Sequence, residues 1–122
     1  MSVLLLALAG GLGAVVRFVV DGEVRRRRPS GLPWATVLVN VSGSLLLGVL
    51  VGLVRHHGAP EDLRLVLGVG FCGGYTTFST ASVEVVRLVQ GRRVGAAVGI
   101  GLGQLVLAVA AGAVGLGVTA LF

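Results

Sequence analysis

Residues Gly68 to Ser82 read GVGFCGGYTTFSTAS, and they interrupt what hydropathy otherwise marks as a membrane-spanning helix. Apolar sequence enters the block from Leu63 and leaves it toward Val89. Glycines, a cysteine, a tyrosine and a knot of hydroxyls stand where lipid-facing leucines belong. Non-helical backbone survives at membrane depth only where it is buried in protein or lines a polar pathway. At such a break, freed carbonyls suit cations and the N-terminus of the second half-helix suits anions. The segment therefore points to a membrane protein that handles ions.

Composition agrees. The chain has 122 residues, 55% of them hydrophobic and 21 of them glycine, with a mean hydropathy of +0.99. A span needs ~20 apolar residues, so there is room for four crossings and little else. Spans are read at 2–20, 33–54, 63–89 (broken near 73–76) and 94–121, as one transmembrane domain with an all-α fold. The opening residues lack the basic start and cleavage site of a signal peptide and read as a retained first helix. Short loops make neighbouring helices antiparallel. Cys72 is the one cysteine, which excludes an intrachain disulfide.

All ten basic residues are arginine, and the formal net charge is +5. Arg25, Arg26, Arg27, Arg28, Arg87, Arg92 and Arg93 fall in or beside the first and third loops. The opposite side holds Arg55 and Arg64, diluted by Glu61 and Asp62. That imbalance predicts cytoplasmic first and third loops, with both termini outside. The charge reports topology, and nucleic acid is not an expected partner.

Small residues recur every four positions, a spacing that lets helices approach closely in lipid. Thr36, Asn40, Ser44, Gly48 and Gly52 form one row, and Gly95, Gly99 and Gly103 another. Both are read mainly as bundle packing. Asn40, between Thr36 and Ser44, is either a pore-lining donor or interhelical glue. Arg17 is either an interface anchor or a positive charge in an aqueous vestibule. Gly73 and Gly74 permit unusual backbone angles. Thr76, Thr77, Ser79 and Thr80 offer caps and hydroxyl donors, and Phe78 offers an electropositive ring edge. Glu84 is the one carboxylate within a span, so a proton-coupled exporter with a deep acid in its first span is disfavoured. His56 and His57 are a weak metal signal in a solvated loop.

GGLGAVVRF at Gly10–Phe18, VNVSGSLLLG at Val39–Gly48 and GFCGGYTTFSTAS at Gly70–Ser82, with the four-span plan, resemble the Fluc (CrcB) fluoride channel family over nearly the whole chain. The resemblance implies a dual-topology antiparallel dimer in the bacterial cell membrane that passes fluoride down its gradient, and no enzyme. It implies a structural, non-transported sodium ion held by the backbone carbonyls of Gly73 and Thr76. Asn40, Ser44, Thr77, Phe78 and Thr80 would line the pore, with Arg17 at the vestibule. Two departures stand out. Ala81 replaces the second Phe of the family motif, while Gln104 and Ala108 replace a Tyr and a Ser of the fourth span. With the arginine bias, they predict pairing with an oppositely oriented homologue, with a homodimer or a non-conducting accessory subunit as alternatives.

Overall fold

The computed structural model describes residues 3–28 and 32–121. Ser2, where the first span was expected to open, lies outside them. All regular structure among the described residues is helical. Helix α1 is Val3–Arg27 and α2 is Trp34–His57. Helix α3 covers 61–75 and is composite: α-helical at Glu61–Leu63, π-helical at Arg64–Cys72 and α-helical again at Gly73–Tyr75. Helix α4 is Phe78–Gln90 and α5 is Val94–Ala120. Three of these, α1, α2 and α5, are long and apolar enough to cross a membrane.

Helix α1 continues past the apolar run that ends at Val20. Its polar end is stitched by Arg25 to Asp21 (2.9 Å) and by Arg27 to Glu23 (2.7 Å), both at helical i, i+4 spacing. A second arginine, Arg26, also pairs with Glu23. Three arginines in the last turn face the negative end of the helix dipole. Helix α2 ends at Gly58, whose φ of 67° is the left-handed cap that glycine adopts without steric cost.

Close backbone approaches organise the bundle. A Cβ on Gly48 would fall on the Gly112 carbonyl oxygen, and one on Gly115 would lie 2.6 Å from the Leu45 oxygen. Helices α2 and α5 thus meet backbone to backbone. At their far ends His57 Nε2 lies 2.6 Å from the Thr119 carbonyl oxygen. Helix α1 meets α3 in the same manner, because Gly13 lies against the Phe71 carbonyl and Gly74 against that of Gly10. Helix α4 packs on α5 through Leu88, Ala97 and Ile100.

The row Gly95, Gly99, Gly103 is open within this chain. A Cβ at any of the three meets nothing within 4 Å, so none of them makes a close backbone approach within this chain. The helix is in contact through Gly112 and Gly115, on a different face. A spacing of four defines a row but does not say which row is covered.

Arg25 Nη2 also reaches Glu84 Oε2 at 3.0 Å. The pair joins the C-terminal end of α1 to α4 and puts the first and third loops on one side of the bundle. The other carboxylate oxygen, Glu84 Oε1, is buried without a hydrogen-bond partner.

Candidate functional site

Between α3 and α4 the chain leaves helical geometry for two residues. Thr76 has φ −82°, ψ 161° and Thr77 has φ −149°, ψ 121°. Gly73 and Gly74, expected to open the break, are helical. What diverts the backbone is a side chain from elsewhere. Asn40 Nδ2 donates to the Thr77 carbonyl, and Asn40 Oδ1 accepts from the Thr77 N–H, each at 2.9 Å. The carboxamide thus pairs with Thr77 as a neighbouring strand would.

The helix loses bonds in return. In a continuous helix the N–H of residue i serves the carbonyl of i−4. Thr77 N–H would then serve Gly73, and Thr80 N–H would serve Thr76. Here Thr77 N–H goes to Asn40, and Thr80 N–H goes to Thr77 Oγ1 at 3.2 Å. The Gly73 and Thr76 carbonyls are deprived of their helical donors. The Gly74 carbonyl instead accepts from Arg17 Nε at 3.3 Å. Arg17 therefore sits on the C-terminal end of α3, where a cation complements the dipole, a contact that its sequence position did not suggest.

Packing holds the interruption in place. Gly43 of α2 has no side chain to keep Tyr75 and Thr76 away. Buried Tyr75 bonds Ser42 Oγ through its hydroxyl at 2.9 Å and stacks on Phe71 with centroids 5.8 Å apart. Thr76 Oγ1 donates back to the Cys72 carbonyl at 2.8 Å. Thr77 caps α4, and losing such a cap costs about 1 kcal/mol. Thr77→Val, which keeps the shape, is expected to lower the thermal unfolding midpoint in detergent, and Ser79→Ala, whose hydroxyl meets Thr77 Oγ1 at 3.4 Å but no backbone N–H, to lower it much less.

Beside the interruption lies a cleft of about 700 Å³. Asn40, Ser44, Gly73, Thr76, Thr77, Phe78, Ala81, Gln104 and Ala108 are among its lining residues. The structure thus brings Asn40, Ser44, Thr77 and Phe78 of the expected pore set to one wall. Thr80 lies on the first turn of α4, and Arg17 approaches the interruption from α1. Phe78 is 87% exposed, so its ring stands out from this chain with no partner of its own. Sequence reading missed one pairing: Asn40 Nδ2 also donates to Gln104 Oε1 at 2.7 Å. Only the spacing along α2 and α5, with the register of their glycine contact unknown, was available to find it.

An apolar bundle of membrane-length helices around an interrupted, hydrogen-bonded backbone segment defines a multi-pass helical membrane protein with a polar site at the interruption. A family model described as "CrcB-like protein, Camphor Resistance (CrcB)" matches residues 4–116, and the chain belongs to that family. It is 52% identical over 114 residues to "Fluoride-specific ion channel FluC 1" of Leifsonia xyli subsp. xyli, covering 93% of this chain and 83% of the relative. It is 50% identical over 99 residues to "Fluoride-specific ion channel FluC 2" of Cutibacterium acnes, covering 79% and 80%. A "Fluoride-specific ion channel FluC 2" of Mycobacterium tuberculosis is 43% identical over 108 residues, covering 88% and 82%.

Proposed function

We propose that this chain is a subunit of a fluoride-specific channel that lets fluoride leave the cell passively. The observation that carries the reading is the interruption at Thr76–Thr77, which sets polar backbone and hydroxyls along a cleft in an otherwise apolar bundle. Fluoride is small and tightly hydrated, so a path for it needs closely spaced donors to replace its water. Hydroxyls of Ser44, Thr77 and Thr80 and the edge of the Phe78 ring supply such groups. The names of the three relatives supply the ion.

On this reading α3 and α4 together make one broken span, giving four crossings in a bacterial cell membrane. The Arg25–Glu84 pair supports the orientation inferred from the arginines, with the first and third loops cytoplasmic. The subunit works as an antiparallel dimer whose partner covers the open cleft and the exposed Phe78 ring. The Gly73 and Thr76 carbonyls, short of helical donors, fit a hard cation that takes oxygen ligands, and sodium is the ion assigned to them. Its part is structural: a fixed positive charge that favours anion entry.

Ala81 and Ala108 line the cleft without a ring or hydroxyl, which favours an oppositely oriented homologue as partner. The test is fluoride efflux from liposomes holding this chain alone, then this chain with a homologue encoded nearby. Flux only with the homologue is the expected result. Flux from the chain alone would establish a homodimer, and no flux from a folded dimer in either case would leave an accessory subunit.

A further inference from the structure

We infer that Gln104, rather than Asn40, supplies the side-chain amide donor to the ion in this subunit, and that Asn40 acts as a clamp. The inference rests on the channel reading above and assigns a role within it.

A carboxamide has two N–H donors and two acceptor lone pairs. Both Asn40 donors are spent, one on the Thr77 carbonyl and one on Gln104 Oε1. One acceptor position is spent on Thr77 N–H. What Asn40 has left is a lone pair, which repels an anion. The position marked by sequence as the pore donor thus has no proton to give while the interruption stays folded.

Gln104 is in the complementary state. Its oxygen accepts from Asn40, and that contact identifies the amide nitrogen as the other atom. Gln104 makes no other hydrogen bond among the described residues, so both Nε2 protons are available. The side chain is only 8% exposed, yet Nε2 is not sealed in: Glu84 Oε1 is the sole fully buried side-chain polar atom without a partner among the described residues. Gln104 lines the large cleft and also a smaller one of about 310 Å³ beside Trp34, Val37 and Gly103. No other residue borders both. The Gln104 side chain therefore borders two clefts, the larger walled by both polar and apolar groups and the smaller almost wholly by apolar ones. There a donor pair largely withdrawn from solvent gains strength from the low dielectric.

The Asn40–Gln104 bond fixes which way the Gln104 amide points. With its oxygen held by Asn40, the nitrogen cannot swap places with it, so the site presents donors and rejects cations. The clamp and the donor are one unit: α2 holds the interruption with one side of Asn40 and orients α5 with the other.

Gln104→Glu separates the two roles. It keeps an oxygen for Asn40 Nδ2 to donate to, and replaces the two outward donors with an acceptor. Efflux would be measured in liposomes with whichever subunit combination conducts as wild type, at a series of fluoride concentrations. Gln104→Glu is expected to lower flux at about pH 8.5 by roughly tenfold and to raise the half-saturating fluoride concentration, while the protein stays monodisperse. Protein-free liposomes correct for neutral hydrogen fluoride. Should Gln104→Glu fail to fold, Gln104→Met keeps the length without any N–H and must still raise the half-saturating concentration. A folded Gln104→Glu with flux and half-saturation within twofold of wild type would overturn the inference while leaving the channel reading intact. A wild type that conducts in no combination would overturn the channel reading, and this assignment with it.

Discussion

Asn40→Leu is expected to abolish fluoride flux, with a fall of at least about a hundredfold, or about 2.7 kcal/mol, although leucine keeps the branched shape of the side chain. The Thr77 N–H and C=O each have one partner outside the helix, and Asn40 is both. Leaving a buried backbone group unpaired costs about 1–3 kcal/mol, and membrane surroundings offer no water in exchange. Two such groups make the extended conformation the more expensive one. The backbone then recovers its helical bonds, Thr77 N–H returning to Gly73 and Thr80 N–H to Thr76. That removes the polar wall and the carbonyls at one stroke. Liposome efflux read beside hydrogen exchange at Thr77 is the check. A folded Asn40→Leu that conducts within twofold of wild type would mean that the interruption holds itself open without the clamp.

Gly48→Ala is expected to be among the most damaging single methyls in the bundle, with Gly13 and Gly74 facing backbone as closely. Its Cβ would land on the Gly112 carbonyl oxygen, with the Gly112 carbonyl carbon and Cα at 3.0 Å. Backbone cannot turn aside as a side chain can, so α2 and α5 must separate along their shared length. Overpacking costs about 1–3 kcal/mol where neighbours adjust, and here they are rigid, so the top of that range is expected. Gly22→Ala gives the comparison, because a Cβ there meets nothing within 4 Å. It is expected to be neutral or to stabilise α1 by up to about 1 kcal/mol through helix propensity. Thermal unfolding in detergent should fall for Gly48→Ala and hold or rise for Gly22→Ala. Equal midpoints would show that the α2–α5 crossing is looser than its geometry implies.

Sequence made the large features of this fold readable and its decisive contacts much less so. Apolar runs separated by short arginine-bearing loops announce α1, α2 and α5, because lipid leaves the backbone no alternative to long helices. The block at Gly68–Ser82 announces a departure from that rule. Its position is a different matter. Gly73 and Gly74 permit a break but do not require one, and both stay helical. The chain opens at Thr76 and Thr77 because Asn40, far away in sequence, arrives there. A non-local hydrogen bond leaves no local mark. The π-helical stretch at Arg64–Cys72 has no marker in composition or spacing either. Arg17 offered a charge near a span end, and only the packing of α1 on α3 turns it onto the Gly74 carbonyl. At Gln104 the residue type was visible as a departure, while its partner was not.

The interruption borrows its hydrogen bonds from outside its own segment: Arg17 comes from α1 and Asn40 from α2. A lone 61–90 segment newly released into lipid has neither lender. Its cheapest form there is one unbroken helix, with every peptide group satisfied internally. The opening is then acquired only when the neighbouring helices dock, at the end of biogenesis rather than at insertion. A half-made protein of this kind is a sealed plug. On this account a stray leak is avoided in whatever membrane receives the chain, for as long as the newly inserted segment is still searching for its place.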